Sequence, residues 1–206
     1  MVVMLQRLGN CFTTQGPHGE KYFFNVLDVH LNFGFTFGLK LKSDVFSHYQ
    51  STEAFLERSS TGKILAVRCG GELELTAGKM GDHFRTTGIV VQCTVPYAHE
   101  PNVKSEHYIR MLEEGGQALL AGSGLPMSFW LNAVLTRQYL CNRLPTSTLP
   151  NNVTPFEALT NGCKPNLSHL CVWGCDCYAM IPDELRPKAG FKWFCVIFVG
   201  YERTWG

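Results

Sequence analysis

Two long helical patterns meeting at Gly122-Ser123-Gly124-Leu125-Pro126 constrain this chain more than any other feature. Glycine and proline at that density end one helix and start another. The first helix follows an extended segment from Pro96 and carries one carboxylate, Glu106, in its first turn. The second runs from Pro126 to Leu144, with Trp130, Ala133, Val134, Leu140 and Cys141 predicted on one side and Arg137 and Asn142 on the other.

Upstream of this helical block the text reads as strands and shorter helices. Residues 1–20 hold a short apolar start and then loop composition, with Gly9, Gly16, Pro17 and Gly19. Lys21 to Leu31 and Phe33 to Leu41 read as paired strands, Ser43-Asp44 as the cap of a helix reaching Arg58, and Lys63 to Arg68 as a short buried strand. A weak helix over Ala77 to Thr86 and a strand over Ile89 to Val95 follow. The four strands are expected in one mixed sheet flanked by helices, an α/β or α+β arrangement. Beyond Pro145 comes a proline-rich connection with a short helix at Phe156 to Thr160. Strand-like runs at His169 to Met180 and Trp193 to Tyr201 then suggest a small β module.

Composition narrows the class. At 206 residues and 45% apolar the chain can bury one good core, and its formal net charge of +1 gives no global field for nucleic acid. Nine cysteines without the spacing of a secreted scaffold read as thiols of a reducing compartment. Met1 to Leu5 is too short for a signal sequence and no run approaches a membrane span, so the expectation is a soluble, intracellular, non-secreted protein with no membrane partner.

Several blocks resemble copia-type retrotransposon integrases. Pro96, Tyr97, Asn102 and Glu106 match the motif P-Y-x-P-Q-Q-N-G-V-x-E-R, which carries the last acid of a catalytic D,D,E set. Further blocks appear in the family's order at Asn142 to Thr146, Thr154 to Ala158, Lys164 to Leu170, Trp173 to Cys175 and Ile197 to Tyr201. The resemblance implies a ribonuclease-H-like integrase core over residues 1–145, a connector over 146–166 and an SH3-like β module over 167–206. It also implies DNA as partner (element ends and target), self-association into a homo-oligomer, Mg²⁺ as cofactor and the nucleus as location, with the cytoplasm otherwise.

The acids depart from that pattern. In the family the first lies about fifteen residues before the Tyr-Phe pair, a place filled here by Arg7, and no Asp or Glu precedes Glu20. The second sits in R-S/C-D-N-G-G-E-F, whereas Arg68-Cys69-Gly70-Gly71-Glu72 lacks the D-N pair. Either Glu72 or Glu74 would have to move into the vacancy. Three acids are needed to hold two cations, so Glu106 is left as a vestigial catalytic and metal-binding residue. Four positions before Arg110, it is expected in an exposed ion pair.

The implied function is therefore a degenerate integrase segment, inactive in end processing and strand transfer. A nucleic-acid-binding or protein-interaction module without catalysis is the second reading. Candidate DNA-phosphate contacts are Arg137, Arg143, Lys164, Lys188 and Lys192, although scattered solvated charges explain them equally. Cys171, Cys175, Cys177 and His169 suggest zinc, but the spacing suits a tetrahedral site poorly. There is no G-x-S-x-G elbow and no phosphate loop. The family pattern continues past Tyr201, so the module is expected to lack a strand and to leave Trp173, Phe194, Phe198 and Trp205 partly uncovered.

Overall fold

A computed structural model describes residues 1–9, 14–59, 62–69, 78–93, 103–188 and 190–202. The first strand, β1 (Val2–Gly9), occupies the short apolar start, a segment with no strand expected from the sequence. Its V-V-M-L run is apolar without alternation, the signature of a strand covered on both faces. The structure accordingly makes it the central strand. β2 (Tyr22–Asp28) and β3 (Gly34–Leu39) continue an antiparallel meander from it. Helix α1 (Val45–Ser59) crosses to β4 (Ala66–Cys69), which pairs parallel to β1, and α2 (Gly78–Thr87) leads to β5 (Val90–Cys93), parallel to β4. The order β3-β2-β1-β4-β5 is the expected mixed sheet with β1 added at its centre.

Strand alternation divides the core in two. Val3, Leu5, Phe24, Val26, Phe37 and Leu39 face α1 and α2, meeting Tyr49, Leu56, Met80 and Phe84. Met4, Phe23 and Leu27 face the long helices α3 (Val103–Ser123) and α4 (Trp130–Arg143), meeting Tyr108, Leu112, Trp130 and Val134. The helix break falls at Gly124 to Phe129, overlapping the expected Gly122 to Pro126 and running three residues further through a 3-10 turn at Met127–Phe129. Among the described residues no helix is long and apolar enough to cross a membrane.

Edge strand β3 shows how the second layer is seated. Its residues alternate between large side chains toward α1 (Phe35, Phe37, Leu39) and small ones toward α4 (Gly34, Thr36, Gly38). A Cβ on Gly38 would sit 2.3 Å from Leu131 Cδ2, and one on Gly34 would overlap the Tyr108 hydroxyl at 2.0 Å. The two glycines let the helices approach to close packing.

Asn142, expected on the outer side of α4, is instead 1% exposed. Its Oδ1 accepts from Gly34 N at 2.9 Å and its Nδ2 donates to Gly34 O at 2.9 Å, while Gln138 Nε2 donates to the same carbonyl. The amide mimics a strand neighbour, satisfying main-chain groups that an edge would otherwise leave open.

The remainder packs on α4. Helix α5 (Pro155–Leu159) is capped by Thr154, whose Oγ1 accepts from Glu157 N at 3.1 Å. A two-stranded antiparallel sheet, β6 (Asp176–Met180) with β7 (Trp193–Ile197), completes the chain. Trp173 is 5% exposed against the α3–α4 core, so it is not partly uncovered as expected, whereas Phe198 packs there half-buried. Phe194 is 51% exposed, and Trp205 lies outside the described residues. Gly174 makes this docking fit, with φ of +83° and Ser123 of α3 so close that a Cβ would lie 2.3 Å from its side chain.

Replacing Asn142→Ala leaves a buried main-chain N–H unpaired and is expected to cost about 3 kcal/mol in urea denaturation. Gly34→Ala should cost at least about 2 kcal/mol by overpacking against Tyr108. Stability should also depend on alkaline pH. The Tyr49 and Tyr108 hydroxyls are buried without a hydrogen-bond partner among the described residues. Burial, aided at Tyr49 by Glu53 and Glu57, raises both phenols above their ordinary value. In the unfolded chain they ionise near pH ~10. Unfolding thus releases protons above that value, and their contribution, intact below it, is lost as pH rises. Tyr49→Phe and Tyr108→Phe should each delay alkaline unfolding followed by circular dichroism.

Candidate active site and nucleic-acid surface

Parallel strands β1 and β4 lie side by side, with Met4 opposite Arg68 and Leu5 opposite Cys69. Alternation directs Met4, Gln6, Arg68 and Gln92 to the α3–α4 side. Arg7 is paired with Phe24, a residue of the opposite core, whereas its neighbour Gln6 is paired with Asn25 on the α3 side. Thr36 Oγ1 donates to Asn25 Oδ1 at 3.1 Å, and Asn25 Nδ2 and Gln6 Oε1 are buried polar atoms without partners among the described residues. Arg68 Nε donates to Gln92 Oε1 at 2.8 Å. The polar content of this face is thus amide, hydroxyl and guanidinium.

Glu106 lies in the first turn of α3 on its solvent side, between buried Ser105 and buried Tyr108. It makes no ion pair with Arg110 among the described residues. Glu72 and Glu74 fall outside those residues, as does the extended segment from Pro96 to Asn102. No group of three or more His, Cys, Asp or Glu able to hold a metal ion occurs among the described residues. Cys175 and Cys177 bring their sulfurs to 3.7 Å, and that hydrogen bond is the main cause raising the Cys177 thiol. On the far side of the sheet His83 Nε2 and Glu53 Oε2 approach to 2.6 Å between α1 and α2, in a groove lined also by Glu57, Lys63, Thr86 and Thr87. The threonine hydroxyls of the groove that holds this His–carboxylate pair, Thr86 Oγ1 and Thr87 Oγ1, donate to the His83 carbonyl at 2.9 and 2.7 Å.

The five basic candidates divide into two groups. Arg137 lays its stem across α3, where a Cβ on Gly115 would touch it at 2.5 Å. Arg143 stacks 3.5 Å above the Tyr139 ring and 4.9 Å from Phe156, and burial lowers its pKa while Tyr139 opposes that shift. The stack continues from Tyr139 to Tyr201, with ring centroids 4.4 Å apart and planes at 17°. His169 Nε2 contacts Tyr139 Oη at 2.6 Å, and Tyr201 Oη accepts from Cys171 N and donates to Cys171 O. Arg143 is therefore part of an aromatic column that docks the C-terminal segment.

Lys164, Lys188 and Lys192 are exposed. Lys192 lines a shallow concavity with Tyr178, Phe191 and Trp193, which are 72%, 88% and 53% exposed. Sequence reasoning named Lys188 and Lys192 as phosphate contacts but missed Tyr178 and Phe191, whose exposure depends on how the two strands are placed. Lysines alternating with exposed rings at Lys188, Phe191, Lys192 and Trp193 were the available signal.

No family model matches the chain. Over 183 residues, 89% of its length, it is 33% identical to the retrovirus-related Pol polyprotein from transposon TNT 1-94 of Nicotiana tabacum, and it spans 14% of that relative. Among solved structures it is similar to the HTLV-2 integrase catalytic core domain in complex with magnesium, in a trimeric form, with a TM-score of 0.55 at 11% identity over 76% of this chain and 93% of that one. The BIV integrase catalytic core domain gives a TM-score of 0.52 at 12% identity over 78% and 93% of the two chains. A simian T-cell lymphotropic virus intasome in complex with PP2A regulatory subunit B56 gamma gives 0.60 at 12% identity over 94% and 66%.

Breaking the aromatic column with Tyr201→Ala should cost about 1 kcal/mol. Amide exchange should quicken around Cys171 to Cys175 and stay unchanged in α4. Equal protection in variant and parent would show that Trp173 and Phe198 suffice for docking.

Proposed function

Since the chain belongs to the retrovirus-related Pol polyproteins, as a segment with the fold of an integrase catalytic core, we propose that it is an integrase core without two-metal catalysis that retains a nucleic-acid-binding surface. Integrase ancestry makes DNA the expected ligand, both element ends and target, and the nucleus the expected place of action. The SH3-like character of residues 167–206, and the division into a core, connector and module at 145 and 166, belong to the same proposal.

The observation that carries the loss of catalysis is the donor set on the α3 side of β1 and β4. Strand transfer is an in-line phosphoryl displacement in which two cations activate the attacking oxygen and stabilise the leaving one. Mg²⁺, present with the HTLV-2 core, requires hard, anionic oxygens in near-octahedral array. Gln6 supplies a neutral amide and Arg68 a positive charge, while Glu106 is exposed on the helix surface. These residues do not fit a metal pair, and the cation at Arg68 would oppose its entry.

The observation favouring retained binding is the aromatic concavity at Tyr178, Phe191 and Trp193 with Lys192 in it and Lys188 nearby in sequence. Exposed rings stack on bases without regard to sequence, and lysines meet the phosphates. Arg137 and Arg143 contribute to the fold in this reading, with Lys164 as a peripheral contact. The trimeric form of the HTLV-2 core supports self-association.

Purified protein should neither process nor join DNA ends with Mg²⁺ or Mn²⁺. Metal-dependent joining that disappears in Glu106→Gln would restore the enzyme. Single-stranded DNA should bind with an affinity that falls as salt rises. Lys188→Ala and Lys192→Ala should each reduce the logarithmic salt slope by about 1, and Trp193→Ala should weaken binding about tenfold. Binding indifferent to all three substitutions would remove the surface from the proposal.

A further inference from the structure

The carboxyl ends of β4 and β5 carry one cysteine each. Cys69 is 1% exposed and Cys93 is exposed, they are direct register partners across the parallel pair, and their sulfurs stand 3.7 Å apart. Neighbouring strands are spaced at about 4.8 Å, within the Cα separation of about 4.4–6.8 Å that a disulfide spans. Both side chains project to the α1–α2 side, since Cys69 is also paired with Leu5 of that core. Closing the gap asks for side-chain rotation and no movement of the sheet.

We propose that Cys69 and Cys93 form a peroxide-responsive disulfide that fastens edge strand β5 to β4. The two thiols have unequal access, which orders the chemistry. Peroxide oxidises exposed Cys93: an S–O bond forms, the O–O bond breaks and one water leaves, giving a sulfenic acid. The Cys69 sulfur then attacks that sulfur, the S–O bond breaks, and the hydroxyl departs as a second water with the Cys69 proton. Two thiols lose two electrons and peroxide gains them.

The bridge acts where the sheet is weakest. Strand β5 is four residues long, pairs on one side only among the described residues, and exposes Val90 by 58%. A covalent tie at Cys93 prevents it from fraying away from β4. A second close pair, Cys175 and Cys177, competes for oxidant but lies two residues apart on one extended segment, where a bridge would close a strained ring.

The test is peptide mapping of the whole chain after brief treatment with hydrogen peroxide, alkylation and trypsin. Cleavage after Arg68, Lys79, Arg85 and Lys104 gives peptides 69–79 and 86–104, each with one cysteine. The expected product is these two peptides joined, lighter by two hydrogens than their sum and separated by dithiothreitol. It should accompany a reversible rise in Tm that Cys93→Ser abolishes and that the Cys175→Ser, Cys177→Ser double variant retains. Recovery of Cys69 in alkylated form with Cys93 as sulfinic acid, or joining of two copies of peptide 86–104, would overturn the proposal. So would a Tm rise that survives in Cys93→Ser.

Discussion

The contact between the Asn142 side chain and the backbone of Gly34 is the point on which the two layers of this protein depend. A helix laid on a sheet is ordinarily held by apolar area, which is tolerant of sliding. Here the sliding coordinate is removed by a two-point hydrogen bond between the end of α4 and the first residue of β3. Once α4 is placed, α3 follows through Gly116 against Val134, and the C-terminal segment follows through Tyr139 against Tyr201. The contact is possible because β3 shows glycine, threonine and glycine to the helices while Phe35, Phe37 and Leu39 fill the other side.

None of these fixing points is an acid of the ancestral chemistry. The sheet needs β1 to be apolar on both faces and paired on both edges, a requirement met with Gln6 and Arg7 in the strand as well as it would be with a carboxylate. Fold and catalysis make separable demands on the same strands. The amide-rich face beneath α3 is polar, and among the described residues Gln6 Oε1 and Asn25 Nδ2 on it have no hydrogen-bond partner.

Helix boundaries around Gly124 to Phe129 and the strands at β2 to β5 were legible because glycine, proline and apolar runs act locally. β1 was missed for the opposite reason: its V-V-M-L run is short, and its identity comes from partners as distant as Ala66 to Cys69. Asn142 was placed on the wrong side of α4 because polarity alone argues for water, and nothing near it in the chain announces Gly34, 108 positions away. Of the candidate site, Glu106 on a helical first turn could be read directly. That Arg143 serves an aromatic column, and that Trp193 and Phe191 stand in the open, both depend on how β6 and β7 leave α4, which no local spacing encodes.

The central position of β1 has a consequence during synthesis. Residues 2–39 emerge before the rest of the sheet and complete the β1–β2–β3 meander, yet β1 receives its second neighbour only when residues 66–69 leave the ribosome. The outer edge of β3 waits longer, until Asn142 arrives. For roughly a hundred residues of elongation, at about 5–20 residues per second, the nascent chain carries an apolar three-stranded ribbon with at least one edge open. Its escape from aggregation in that interval depends on translation speed and chaperone access.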